Sequence, residues 1–169
     1  DVGYNVSASH YQKINNHIAF SLNGFYRHSD GFFKNVTRNE RVGGHEVAGG
    51  RARLIWMPND AWKVDFTTDY SYREDRGYPY RYSGSVDQTE EEKAGNIGRI
   101  IYNDPSFYRR SLFNTGLNVQ YNADHFVMTS VTAYQNLNDN MTMDQDFIDE
   151  SYFTLCQKQR INSWSEELT

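Results

Sequence analysis

The stretch "RLIWMPNDAWKVDFTTDYSY", residues 53–72, carries the pattern that sets the fold. From Trp62 onward every second residue is apolar or a flat, largely apolar Thr or Tyr: Trp62, Val64, Phe66, Thr68, Tyr70, Tyr72. Between them stand Lys63, Asp65, Thr67, Asp69 and Ser71. Side chains of a strand alternate between its two faces, so this period of two describes a strand with one greasy and one wet side. "PND" at 58–60 is turn chemistry: Pro58 fixes its φ, and Asn59 and Asp60 support a bend. Residues 46–57 continue the pattern across the turn. The two arms form a hairpin with Trp56 and Trp62 on either side of its tip.

The same pattern recurs outward from this hairpin. Residues 2–14 alternate Val2, Tyr4, Val6, Ala8 with Gly3, Asn5, Ser7, Ser9, and "NN" at 15–16 turns the chain. Residues 17–29 set Ile18, Phe20, Leu22, Gly24 and Tyr26 against Ala19, Ser21 and Asn23. Residues 109–122 put Phe113, Thr115, Leu117, Val119 and Tyr121 on one face, with Asn114, Gly116, Asn118, Gln120 and Asn122 on the other. After "NAD" at 122–124, residues 125–138 alternate Val127, Thr129, Val131, Ala133 with Met128, Ser130, Thr132, Tyr134. A seventh strand is expected near Ile161.

Composition narrows the class. Hydrophobic residues are 38% of the 169-residue chain, yet aromatics reach 15%, with 13 Tyr and 10 Phe. Mean hydropathy is −0.81. No run of about 18 apolar residues is present, which excludes a membrane-spanning helix. The opening residues read as part of a strand and not as a signal peptide. The net charge of −5 and the lack of a basic stripe argue against nucleic-acid binding. The acidic run Glu90–Glu92, beside Asp87 and Gln88, reads as a solvated loop. Cys156 stands alone, and His10, His17, His28, His45 and His125 have no ligand spacing, so neither a disulfide, a metal site nor a cofactor is expected. "NVT" at 35–37 is a chance sequon, and Gly43, Gly44, Gly49 and Gly50 mark turns or bulges. No nucleophile stands with a base, and no paired carboxylates suggest catalysis; an enzyme is not expected.

Connection length chooses between a soluble sandwich and a barrel. The turns at 15–16, 58–61 and 122–124 are short; the segments at about 30–45, 75–108 and 139–160 are long. Short and long alternate strictly, which places all short turns at one end of the sheet. Sandwiches mix lengths at both ends, whereas outer-membrane barrels show this asymmetry, with apolar residues outward and polar residues inward. Trp56, Trp62, Tyr121 and Phe126 gather beside the short turns, as an aromatic girdle at a lipid–water boundary would. The expected fold is all-β: an antiparallel up-and-down meander of about seven strands, part of a larger transmembrane β-barrel. Its apolar face, with Val64, Phe66, Leu117 and Val119, meets lipid. Its polar face, with Asp65, Asp69, Asn118 and Gln120, lines a hydrated lumen.

At this point the chain resembles the barrel portion of TonB-dependent outer-membrane receptors. The resemblance rests on "GGRARLIWMPNDAWKVDFTTDYSY" (49–72), "DPSFYRRSLFNTGLNVQYNADHFVMTSVTAYQNLNDNMTMDQDF" (104–147) and "SWSEEL" (163–168). "SVTAYQ" (130–135) followed by "MDQDF" (143–147) is similar to the siderophore-receptor branch. The resemblance implies uptake of a scarce, bulky nutrient, most simply a ferric siderophore, across a bacterial outer membrane. It implies the lipid bilayer, a ferric-chelate ligand and TonB as partners. Residues 1–169 would then be a partial barrel, with neither plug domain nor TonB-contacting N-terminal segment, since such transporters need about 22 strands. Two other classes stay open: a soluble β-sandwich carbohydrate-binding module and a passive porin-like channel fragment.

The long segments hold the candidate ligand contacts. "RGYPYRY" (76–82) and "IYNDPSFYRR" (101–110) are rich in Tyr and Arg, which offer flat amphipathic area and oxyanion contacts. The candidates are Tyr78, Tyr80, Arg81, Tyr82, Tyr102, Tyr108 and Arg109, with Met141, Met143 and Asp144 from "MTMDQDF" (141–147). The competing reading is that these side chains pack the loops or sit at the outer headgroup boundary.

Overall fold

The computed structural model describes residues 2–84, 89 and 95–169. The acidic run at 90–92, with Asp87 and Gln88, lies outside the described residues. The strands are β1 (Gly3–Lys13), β2 (Ile18–Ser29), β3 (Phe33–Asn35), β4 (Glu40–Val42), β5 (Gly44–Asn59), β6 (Trp62–Arg76), β7 (Phe107–Asn122), β8 (Val127–Asp144) and β9 (Thr154–Leu168). Seven form one antiparallel sheet in the order β1-β2-β5-β6-β7-β8-β9; β3 and β4 pair as a small hairpin within the β2–β5 connection. Neighbours along the chain are neighbours in the sheet, as tight turns require. A sandwich would need two large sheets face to face, and all seven long strands lie in one.

Asparagines build two of the short turns. Asn15 Oδ1 accepts the amides of His17 (2.8 Å) and Ile18 (2.9 Å). Asn59 Oδ1 accepts those of Ala61 (3.0 Å) and Trp62 (3.2 Å). These are Asx turns, in which a side chain mimics backbone. A register shift between Trp56 and Asn59 absorbs Met57 and Pro58, so the proline costs no ladder bond.

Register sorts the side chains as expected for β6 and β7. Val64 pairs with Val119, and Phe66 with Leu117; Asp65 pairs with Asn118, and Lys63 with Gln120. The apolar face runs from Ile18, Trp56, Val64 and Val119 through Phe20, Leu54, Phe66 and Leu117 to Tyr26, Ala48 and Tyr72. Beyond Tyr72 the same face turns charged, with His28, Glu46, Glu74 and Arg109 in one cross-strand row. Trp62 and Tyr72 are ten residues apart, about 34 Å of strand at ~3.4 Å per residue. A strand tilt of ~40° brings that to ~26 Å along a barrel axis, close to the ~25 Å apolar band of outer-membrane barrels.

Two features depart from the pattern visible in the sequence. The stretch 139–160, expected as polar loop, contains the end of β8 and the start of β9. The outer ends of the strands stand beyond the apolar band and pair through polar residues, which leave no alternation to read. In β8 the set Val127, Thr129, Val131, Ala133 shares the polar face, since Val131 pairs with Asn118; Ser130, Thr132 and Tyr134 share the apolar one. At the β8–β9 end the apolar face is therefore mixed, and the Ser130 and Thr132 hydroxyls donate to Glu166.

A one-layer sheet has no interior, so the buried hydrophobic side chains lie in the long connections and not between strands. Val42, Ile100 and Tyr102 pack together at 1–3% exposure, with Ile101 and Tyr82 also buried. Asn35, fully buried, donates to the Tyr102 carbonyl at 2.8 Å, and the Val36 amide donates to the Ile100 carbonyl at 2.9 Å. Gly77 has φ +65° and sits where a Cβ would come within 2.6 Å of the Val42 side chain, so both conformation and space call for glycine.

Candidate vestibule and its membrane band

The lower polar face is a ladder of paired side chains. Arg53 grips Asp65 with two hydrogen bonds, Nε to Oδ1 at 2.8 Å and Nη2 to Oδ2. Asn114 donates to Asp69 at 2.8 Å, and Gln135 donates to Asn114 at 2.8 Å. Further along the strands, Arg27, Arg73 and Arg110 stand exposed on this same face. Arg73 Nε donates to Asp75 at 2.9 Å, and the Tyr108 hydroxyl donates to Asp139 at 3.2 Å.

The two aromatic ends of the band are distinct. At the short-turn end Trp62 meets Tyr121 (ring centroids 4.6 Å apart) and Tyr121 meets Phe126 (6.1 Å). Trp56 lies on the same face as Trp62 and is 46% exposed. Toward the long loops Tyr4 lies 5.8 Å from Tyr26, and Tyr72 faces the same way. The sequence reading named the first group and missed the second, whose members are scattered over β1, β2 and β6.

The ten candidate ligand contacts fall into five settings. Tyr102, Tyr82 and Asp144 are buried in the loop structure. Asp144 accepts the amides of Asn103 (3.1 Å), Asp104 (2.9 Å) and Phe147 (3.1 Å) and so ties the β6–β7 connection to the β8–β9 loop. Burial raises the Asp144 carboxyl above the ordinary carboxylate range, against the Asp104 amide that pulls it down. Tyr78 and Tyr80 stack at 6.0 Å with 17° between ring planes, and Tyr80, half exposed, meets Phe147 edge-on at 5.2 Å. Burial, and after it the Asp75 carboxylate, push the Tyr78 phenol up to about 12. Arg81 lies over the Phe33 ring at 5.5 Å.

Tyr108, Met141 and Met143 belong to the polar face of β7 and β8, where Tyr108 pairs with Met141. Arg109 does not. It points to the apolar-face side, bonds Glu74 at 2.9 and 3.1 Å, and lies 4.5 Å over the Phe107 ring. It borders a recess of about 550 Å³ that Arg38, Arg41, Arg76, Glu40 and Glu74 also line. Ion pairs hold Arg38 to Glu40, Arg76 to Glu46 and Arg109 to Glu74. The arginine that enters the polar face is its neighbour Arg110, which the sequence reading did not single out. Strand parity alone separates them, and parity was readable from Asp65 and Asn118 outward. Among the described residues no cluster of His, Cys, Asp or Glu could hold a metal ion.

A sheet of this kind, an antiparallel up-and-down meander with an apolar band on one side and a charged, hydrated face on the other, has the architecture of a β-barrel wall segment. Comparison with solved structures gives that class a particular example. The ferric yersiniabactin uptake receptor FyuA from Yersinia pestis is similar in structure, with a TM-score of 0.73 over 98% of this chain and 17% sequence identity. The match covers 25% of the receptor, so the chain spans about a quarter of its length. At this identity the likeness is one of fold. No protein-family model matches the chain.

Proposed function

We propose that this chain is part of the barrel wall of a TonB-dependent receptor in a bacterial outer membrane, importing a bulky nutrient of the ferric-siderophore class. The supporting observation is the combination of a lipid-suited band about 25 Å tall with a fold match that extends over 98% of the chain to a siderophore-uptake receptor. The sheet would hold the outer loops at the cell surface and present its polar face to the lumen. Stacked Tyr78 and Tyr80, with Arg81, would offer ring faces and cationic edges to an incoming complex. In this reading the chain carries no chemistry; it positions ligand, and energy for release comes through TonB from the inner membrane.

Uptake in cells tests it. Deleting the coding region for residues 62–122 from the chromosomal gene should abolish uptake of one radio-iron-labelled chelate and leave others intact. An inner-membrane uncoupler should abolish the same uptake in the parent strain. Uptake that survives the uncoupler but not the deletion would point to a passive channel; unchanged uptake of every chelate would remove the receptor reading.

A further inference from the structure

The polar face carries an imbalance that the barrel-wall role leaves unexplained. Arg73 and Arg110 are directly opposite each other in the β6–β7 register, and Arg27 stands in the same cross-strand row on β2. Like charges directly opposite on a sheet destabilise it. In that row the acid is Asp139, which already accepts the Tyr108 hydroxyl at 3.2 Å. Arg73 has Asp75 at 2.9 Å. Arg27 lies over the Phe25 ring at 5.5 Å and Arg110 over the Tyr108 ring at 5.4 Å. Lower on the face the carboxylates are engaged, Asp65 by Arg53 and Asp69 by Asn114.

We infer that Arg27, Arg73 and Arg110 form a binding site for a bulky anionic complex presenting carboxylate or catecholate oxygens. The inference rests on the receptor reading and adds a charge class to it. Ring contact holds two of the guanidiniums in place, so less freedom is lost on binding. Arginine forks suit paired oxygens and stay charged at any working pH. The row runs across three strand spacings from β2 to β7, about 14 Å at ~4.8 Å per spacing. That footprint suits a complex of siderophore size and exceeds what one inorganic anion could bridge.

The test uses the complete receptor that contains this chain, solubilised in detergent. Its probes are an anionic ferric tris-catecholate and a neutral ferric tris-hydroxamate, with binding read by tryptophan fluorescence quenching. The anionic complex should bind the wild type with an affinity that falls as salt rises. R73Q/R110Q should weaken that binding about tenfold or more, since each loses a charge-assisted hydrogen bond, and should flatten the salt dependence. R160Q, on the other face and one row away, should leave it unchanged. Three results would each overturn the inference: equal weakening of the neutral complex, no weakening of the anionic one, or a changed melting temperature with binding intact. The last would mean that the arginines neutralise an acidic segment of the protein itself. Binding of the neutral complex alone to the wild type would overturn the charge class and leave the receptor reading standing. Failure of both complexes to bind the wild type would remove the two together.

Discussion

At Asp144 a single carboxylate does the work of a loop core. It is fully buried and receives three backbone amides from two different connections. A buried amide left without an acceptor costs about 1–3 kcal/mol, and Asp144→Ala leaves three. The variant should retain the sheet but release the segment 145–153, seen as new protease cleavage there with the strands uncut. Asp144→Asn keeps an acceptor oxygen and should be cut more slowly. Tyr78 gives a second test at this scale. Its phenol ionises near 12 in the folded protein against 10.0 for a free tyrosine. A raised folded value means that the folded state holds the proton more tightly. The stabilisation is then complete below about pH 10 and is lost as pH climbs from 10 to 12. Alkaline difference absorbance should show a late-titrating phenolate, and Tyr78→Phe should remove it together with part of the stability loss in that window.

Strands are where the sequence was most legible, and where its limits have a physical cause. In β6 and β7 the apolar and polar sets are clean because one face is built for lipid and the other for water. The pairings Phe66–Leu117 and Asp65–Asn118 follow directly. In β8 both sets are mixed, and only the register with β7 shows that Val131 joins the polar face. Of the candidate contacts, Tyr102 and Asp144 lie in loop packing that no periodicity announces, and the hairpin β3–β4 is too short to show a pattern. Arg110 was within reach, because counting parity from Asp65 through its partner Asn118 assigns it. The face assignment makes a sharp prediction. Phe66→Arg should destabilise the barrel in lipid by about 2–4 kcal/mol, the cost of a cation near the bilayer midplane. Thr67→Arg, one residue on and on the wet face, should change it by under about 1 kcal/mol. Urea unfolding of the vesicle-inserted barrel measures both, and equal costs would refute the two-faced reading.

At the scale of the whole molecule, this chain alone is an open seven-stranded sheet with the small β3–β4 hairpin in one of its connections. Every residue of β1 and β9 is exposed, and each edge strand presents unpaired N–H and C=O groups along one side. Its apolar face leaves Leu22, Leu54, Trp56, Phe66 and Tyr70 each at least 40% exposed. Isolated exposed apolar side chains are ordinary on soluble proteins, but these adjoin one another across β2, β5 and β6, and a contiguous patch of that kind marks a surface meant to be covered. Lipid covers the face in a membrane and neighbouring strands cover the edges in a closed barrel; in detergent-free water neither is present. The chain by itself is therefore expected to associate, through its edges, its apolar face or both, and to bury more than about 1,000 Å² in the contact. Sedimentation velocity from low to high concentration should show a concentration-dependent shift to larger species, and a mild detergent should reverse the part that depends on the face. A concentration-independent monomer with Phe66 open to quenchers would contradict the lipid-facing assignment, because a surface that tolerates water at this size has no need of a bilayer.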